Sequence, residues 1–219
     1  MRDRSTPLSA GDIAELAWEK MNGQLPAIVQ DRRSGRVLMV GYMDREALEA
    51  TFRTGLATFF SRSKGRLWQK GETSGHHLSV EAVFADCDED SLLVLAVPNG
   101  PTCHTGTASC FGDDAVGGPG WLAELSAIVH ERARSGDEAS YTRRLLGEGV
   151  GRIAQKVGEE GLEVALAAVS RPVDECVGEL ADLLYHLTVL MESLGIGWDD
   201  VMTTLKARHS AARSSTASS

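Results

Sequence analysis

The chain is predicted to hold two domains of different class: a strand-rich α+β domain, then an all-α helical bundle. Three observations carry this prediction. Short runs of β-type composition recur between Ala27 and Val97. Past Phe111 the segment GDDAVGGPG, with four glycines and a proline, is the best linker candidate in the chain. Beyond it, apolar residues recur at three- and four-residue spacing as far as Arg208. The expected division is a first domain over 1–112, a linker over 113–120, a second domain over 121–208 and a polar tail over 209–219.

The elements follow in order. Ser9 caps a first helix running to about Met21, with Asp12 at its third position and Ile13, Leu16 and Ala17 on one face. Strands are expected at Ala27–Gln30, Arg36–Tyr42, Ala57–Ser61, Leu78–Ala85 and Leu92–Val97. The turn-rich DRRSG, Asp31 to Gly35, joins the first two as a hairpin. A helix capped by Asp44 and ended by Gly55 separates the second and third. In the second half, helices are expected at Trp121–Ala133, Tyr141–Gly147, Gly151–Ser170, Val173–Leu194 and Trp198–Arg208.

Composition narrows the function. With 219 residues, 42% hydrophobic and 24% charged, the chain is neither disordered nor fibrous. Apolar runs such as Leu92–Val97 fall far short of the roughly 18 residues of a membrane span. The opening MRDRSTPLSAGD has no apolar core, so no secretory signal is read there and a cytoplasmic location is expected. The net charge of −9 is spread evenly: residues 1–118 carry 12 basic and 16 acidic groups, residues 119–219 carry 10 and 15. Without a basic stripe, a nucleic-acid polymer is an unsuitable partner, while a metal-bridged nucleotide fits.

Four cysteines without a signal peptide argue for metal, catalysis or burial rather than disulfides. Three of them, Cys87, Cys103 and Cys110, fall within 24 residues. Cys87 sits in DCDED, where a strand-like backbone brings Asp86, Asp88 and Asp90 to one face and Cys87 to the other. Carboxylates suit Mg²⁺ and a thiolate suits Zn²⁺. An EF-hand is excluded, because Ser91 stands at its glycine position and Val97 at its glutamate position. Three thiolates without an obvious fourth protein ligand leave the open position of a catalytic zinc. His104 is available there as fourth ligand or as general base; the bland alternative is buried cysteines beside a solvated acidic loop.

SRSKGRLWQKGETSGH, from Ser61, combines Arg62, Lys64, Arg66 and Lys70 with small and hydroxyl residues, which suits a phosphate, and Trp68 suits stacking on a base. Composition alone favours a charged hairpin with one half-buried tryptophan. In the second half, Glu159, Glu160 and Glu163 share one helix edge, and Glu179 and Asp182 recur three apart on the next helix. Facing carboxylates in a bundle are how helical metal sites are built, and Mg²⁺ is expected. Few basic residues stand at partnering offsets, although Arg152 and Lys156 precede the cluster. Cys176 and His186 lie among apolar neighbours and read as core residues.

DCDED, PTCHTGTASC and SRSKGRLWQKGETSGHH together closely resemble the phosphoribosyl-AMP cyclohydrolases. SYTRRLL, RIAQKVGEEGLEVALAA and ELADLLYHLTVL resemble the phosphoribosyl-ATP pyrophosphohydrolases, a branch of the all-α pyrophosphohydrolases. The paired motifs are similar to the bifunctional histidine-biosynthesis enzymes, and the likeness runs from Leu25 to Arg208. It implies zinc on Cys87, Cys103 and Cys110, and magnesium on Asp86, Asp88 and Asp90. It also implies His104 as general base, and a second magnesium site at Glu159, Glu160, Glu163, Glu179 and Asp182. Arg62, Trp68, Lys70, Glu72 and Ser74 become candidate substrate-binding residues. The implied partner is a small-molecule nucleotide, and the implied assembly is a homodimer with zinc ligands drawn from both subunits. The implied chemistry is hydrolysis of phosphoribosyl-ATP to phosphoribosyl-AMP and pyrophosphate, then zinc-dependent opening of the adenine ring at N1–C6. The domains then stand in reverse order to their reactions.

Overall fold

The computed structural model describes residues 3–112, 118–137 and 139–216, with side chains as far as Ser210. The chain divides into two compact units, Met1–Gly120 and Trp121–Ser219. The first is strand-rich and the second helical, as the change of periodicity predicts. Of the expected linker, residues 113–117 lie outside the described residues, and Gly118–Gly120 form a single 3₁₀ turn leading into the first helix of the second unit.

The first unit is built on a four-stranded mixed sheet. Its strands are β1 (Leu25–Asp31), β2 (Val37–Met43), β5 (Leu78–Ala85) and β6 (Leu92–Pro98), in the order β2-β1-β6-β5. The β1–β2 hairpin and the β5–β6 pair are antiparallel, whereas β6 runs parallel to β1. Period-two burial explains β1: Leu25, Ala27 and Val29 are buried while Ile28 is 39% exposed. Helix α1 (Arg45–Thr54) starts where Asp44 accepts the Ala47 amide at 2.8 Å and stops at Gly55 in left-handed conformation. It packs Ala47 and Leu48 into the core with Trp18, Leu38 and Phe59. A Cβ on Gly41 would stand 2.4 Å from the Phe59 ring, so only glycine lets β2 lie against that ring.

Two expectations fail here. The helix expected from Ser9 to Met21 is two short 3₁₀ segments, Ala10–Glu15 and Trp18–Met21. The Asp12 carboxylate does accept the Ser9 amide at 2.7 Å. Leu16, however, turns extended (φ −65°, ψ 150°), which buries Trp18 and lets its indole donate to the Ile13 carbonyl at 2.7 Å. Burial of a tryptophan outweighs continuation of a weak helix. The second is an omission from the expected strands, in a segment whose composition is that of a charged hairpin with one half-buried tryptophan, as it proves to be. Arg66–Gln69 is β4, paired with β3 (Thr58–Ser61) in a separate hairpin that sets Trp68 opposite Phe59, with ring centroids 5.8 Å apart.

The second unit holds α2 (Trp121–Arg134), α3 (Tyr141–Gly147), α4 (Val150–Ser170), α5 (Val173–Leu194) and α6 (Trp198–Thr216). The last helix continues beyond Arg208 into the polar tail. Arg171 and Pro172 break α4 from α5, and Gly195 ends α5 in left-handed conformation. The core cluster is small: Val129, Leu145, Ile153 and Val189. Meanwhile Leu162 (62%), Val169 (83%), Val173 (81%) and Val177 (59%) stand exposed on α4 and α5. Much of the apolar surface that the periodicity assigned to a core is therefore uncovered within this chain.

Candidate active and metal sites

Asp86, Asp88 and Asp90 each bring a carboxylate oxygen within 4.8 Å of the others. They converge as expected, but not by strand alternation. β5 ends at Ala85, and the three residues lie on the β5–β6 turn, where Asp86 Oδ1 accepts the amides of Asp90 (3.0 Å) and Ser91 (3.2 Å). Glu89 takes a left-handed φ of 62° in that turn. The Lys20 ammonium stands in the mouth of the cluster, 2.6 Å from Asp88 Oδ2 and 3.5 Å from Asp90 Oδ2. It is delivered by the Trp18–Met21 turn, which is stapled to the acidic turn by the Ala17 amide on the Glu89 carbonyl at 2.9 Å. The hydrogen bond to Asp88 raises the pKa of Lys20 and lowers that of Asp88. A cavity of about 760 Å³ opens beside Asp86, Cys87 and Asp88, closed on the other side by Asp3, Arg4 and Thr6.

Cys103 and Cys110 lie on the loop after β6. The Cys110 amide donates to the Leu38 carbonyl at 2.8 Å, and Ser109 Oγ to the Val37 carbonyl at 2.8 Å, which pins the loop to β2. Thr105 Oγ1 donates to Cys103 Sγ at 3.1 Å. With the Thr105 amide and the Thr107 hydroxyl, it draws the Cys103 thiol down to about 6. Burial, then the neighbouring Cys103, pushes Cys110 the other way. Lys70 shares this pocket: it is 7% exposed, its Nζ donates to the His76 carbonyl at 3.1 Å, and burial depresses its pKa against the pull of both cysteines. Gly71 permits that bend, since a Cβ there would meet the His76 backbone at 2.5 Å. His104 Nδ1 is 3.8 Å from Cys103 Sγ.

Cys87 does not join this pair. It is exposed on the β5–β6 turn, and among the described residues no group of three close metal-ligating side chains contains a cysteine. The other expected contacts are scattered over the β3–β4 hairpin and the loop after it. Arg62 stacks on Tyr42 at 4.0 Å, Trp68 packs on Phe59, Glu72 is bound by Arg66 at 2.6 Å, and Ser74 Oγ accepts the His76 amide.

In the helical unit Glu160, Glu179 and Asp182 bring carboxylate oxygens within 4.8 Å of one another across α4 and α5. Glu163 abuts them, and the charge of Glu179, then burial, then Glu160 raise its pKa. Glu159 is drawn instead to Lys156 (3.0 Å), Gln155 (2.8 Å) and Arg152 (3.7 Å). The expected scarcity of basic partners is thus corrected. Lys156 also reaches Glu160 at 2.9 Å, and Arg171 reaches Glu179 at 2.8 Å from the α4–α5 break. The tertiary turn-back brings Arg171 within range, which spacing along one helix does not reveal. His186 is buried and hydrogen-bonded, as a core histidine should be. Lys20 carried no sequence signal, because its partners Asp88 and Asp90 come from a distant segment, and Tyr141, although part of the SYTRRLL motif, could not be assigned its partner His186.

A strand-rich unit and a helical unit each hold a carboxylate triad, which makes the chain a protein with two candidate metal centres. The family model for phosphoribosyl-AMP cyclohydrolase matches residues 39–112, and that for phosphoribosyl-ATP pyrophosphohydrolase matches residues 122–209. The histidine biosynthesis bifunctional protein HisIE of Shewanella oneidensis is 52% identical over 92% of this chain and 95% of its own length. Its counterpart from Escherichia coli K12 is 52% identical over 89% of this chain and 96% of its own, and that of Xylella fastidiosa Temecula1 is 53% identical over 92% and 97%. The chain belongs to the bifunctional histidine-biosynthesis family that these proteins represent.

Proposed function

We propose that the two hydrolyses of this family are divided between the units, each at its own acidic cluster. The chain is a bifunctional hydrolase of histidine biosynthesis: phosphoribosyl-ATP is hydrolysed to phosphoribosyl-AMP and pyrophosphate, and the adenine ring of the product is then opened at N1–C6. The observation that carries the division is the coincidence of each family match with one compact unit and one carboxylate triad. On this reading residues 1–112 are the cyclohydrolase and 121–208 the pyrophosphohydrolase, joined by the 113–120 linker in a cytoplasmic enzyme.

In the helical unit, Glu160, Glu179 and Asp182 hold Mg²⁺, and Glu163 adds charge at its edge. All four offer hard carboxylate oxygens, the donor set this ion takes. Magnesium, when bound, offsets charge on the phosphate oxygens. Lys156 and Arg171 hold Glu160 and Glu179 against each other's repulsion. Water attacks the α-phosphorus, the bond to the bridging oxygen breaks, and pyrophosphate leaves. Glu159 serves as the anchor of Lys156 more than as a ligand.

In the strand-rich unit, Cys103 and Cys110 supply two thiol ligands for Zn²⁺, and Cys87 of the partner subunit supplies the third. The separation of Cys87 from the pair within one chain supports this, as does the uncovered apolar surface of the helical unit, which a second copy would bury. Zinc, when bound, lowers the pKa of water. His104, beside Cys103, accepts the proton of the attacking water. Oxygen adds to C6, the C6–N1 bond breaks, and N1 takes a proton. Asp86, Asp88 and Asp90 hold a divalent cation beside the cavity. Arg62, Trp68, Lys70, Glu72 and Ser74 are kept as the substrate-facing set, with Lys70 acting from within the cysteine pocket.

The test is to supply phosphoribosyl-ATP with Mg²⁺ and Zn²⁺ and follow pyrophosphate and ring-opened product together, in the wild type and in Cys103→Ala. Sequential appearance in the wild type, with phosphoribosyl-AMP accumulating in the variant, is the expected result. Ring opening at the native rate by Cys103→Ala would refute the zinc assignment.

A further inference from the structure

A buried hydrogen-bonded chain leads away from the helical carboxylate triad, and the reaction scheme leaves it without a task. His186 on α5 is 6% exposed and follows Asp182 by one helical turn. Its Nδ1 lies 2.9 Å from the Asp182 carbonyl oxygen and 3.6 Å from Glu160 Oε1. Its Nε2 lies 3.1 Å from the hydroxyl of Tyr141, the first residue of α3. Both groups facing Nδ1 are acceptors, so Nδ1 is the donor there, and Nε2 shares its hydrogen bond with the Tyr141 hydroxyl. Tyr185 flanks both rings, with centroids 6.2 Å from Tyr141 and 5.2 Å from His186, so the imidazole is held on its sides as well as at its nitrogens.

A histidine that merely filled a core would need polar partners, but not these. The Nδ1–H of His186 points at the backbone of one triad member and the carboxylate of another. Carboxylate ligands are oriented by hydrogen bonds from just such surrounding groups, and loss of one costs about 10–100-fold in metal affinity or activity. Resting on the reading of Glu160, Glu179 and Asp182 as the magnesium site, we propose that Tyr141 and His186 are positioning residues of that site. The Tyr141 hydroxyl holds the His186 ring at Nε2, and the His186 Nδ1–H keeps the Asp182 backbone and the Glu160 carboxylate in place to ligate. Lys156 also holds Glu160, which puts the expected effect at the lower end of the range.

The experiment measures Mn²⁺ binding to the full-length chain by electron paramagnetic resonance. The class of sites lost in Glu179→Gln is the helical site. Tyr141→Phe removes only the hydroxyl, and it is expected to weaken that class about tenfold. Its rate of pyrophosphate release should fall and then recover in excess Mn²⁺, a rescue that lost packing would not permit. Thr142→Val is the matched control: it deletes the neighbouring 2.8 Å bond to the Tyr185 hydroxyl without touching His186, and should bind Mn²⁺ as the wild type does. Wild-type affinity in Tyr141→Phe, or equal weakening in Thr142→Val, overturns the positioning role. Absence of any Glu179-dependent class overturns the metal-site reading itself, a separate and distinguishable result.

Discussion

Cys103 offers a direct test of the cysteine pocket, because its ionisation depends on one identifiable hydroxyl. The Thr105 hydroxyl is the largest influence holding the Cys103 thiol at about 6, against an ordinary value of 9.0. At pH 7 a thiol of that acidity is about 90% thiolate, whereas an unperturbed one is about 1%. Thr105→Val keeps the shape and removes the donor. A rise of about one unit is expected, the size that one hydrogen bond to a charged group carries. The thiolate fraction at pH 7 then falls to about 50%, and alkylation slows about twofold. The assay is iodoacetamide labelling of chelator-treated protein across a pH series, with each cysteine peptide quantified by mass spectrometry. Cys110 is the internal reference, since burial pushes its thiol upward and it should label only at higher pH. Because the thiolate is the ligand, wild-type Zn²⁺ uptake should weaken as pH falls through about 6, and Thr105→Val should move that loss to higher pH. A Cys103 midpoint near 9, or one indifferent to Thr105→Val, refutes the account.

Four further outcomes are expected. Glu163→Gln should reduce pyrophosphate release by about 100-fold or more while ring opening of supplied phosphoribosyl-AMP continues; native-rate release would mean the second site is misplaced. The raised pKa of Glu163 makes it gain its proton at a higher pH than an ordinary glutamate, so Mn²⁺ affinity at the helical cluster should decline on acidification and do so less in this variant. Lys20→Met removes the ammonium from the Asp88 and Asp90 oxygens, and Mg²⁺ titration by calorimetry should give about two- to fivefold tighter binding there; unchanged affinity would mean the lysine swings clear at no cost. Val169→Asp places a charge on the uncovered α4 surface, and light scattering should find twice the monomer mass for the wild type and the monomer mass for the variant, whereas an undisturbed dimer would put the interface elsewhere.

Features governed by neighbours within four residues were legible in the sequence. Asp44 and Gly55 bound α1, Pro172 opens α5 and Gly195 closes it, because capping and φ preference are local properties. Glu179 and Asp182 share a helix face for the same reason. The helix expected from Ser9 to Met21 failed where a distant demand intervened, the burial of Trp18. Strand β4 was missing from the expected strands, yet the reading of its segment as a charged hairpin with one half-buried tryptophan holds, with Trp68 set against Phe59.

What the chain determined by itself was therefore most of its helices and strands and the carboxylate clusters of 86–90 and of α4 and α5. Tertiary structure alone decided that β6 lies between β1 and β5, and that Lys20 enters the aspartate cluster. It alone brought Arg171 to Glu179 and Tyr141 to His186, and left Cys87 apart from Cys103 and Cys110. Lys20 and Asp88 stand 68 residues apart in the chain and Tyr141 and His186 stand 45 apart, and over such separations burial of shared apolar surface, rather than any local period, selects which side chains meet.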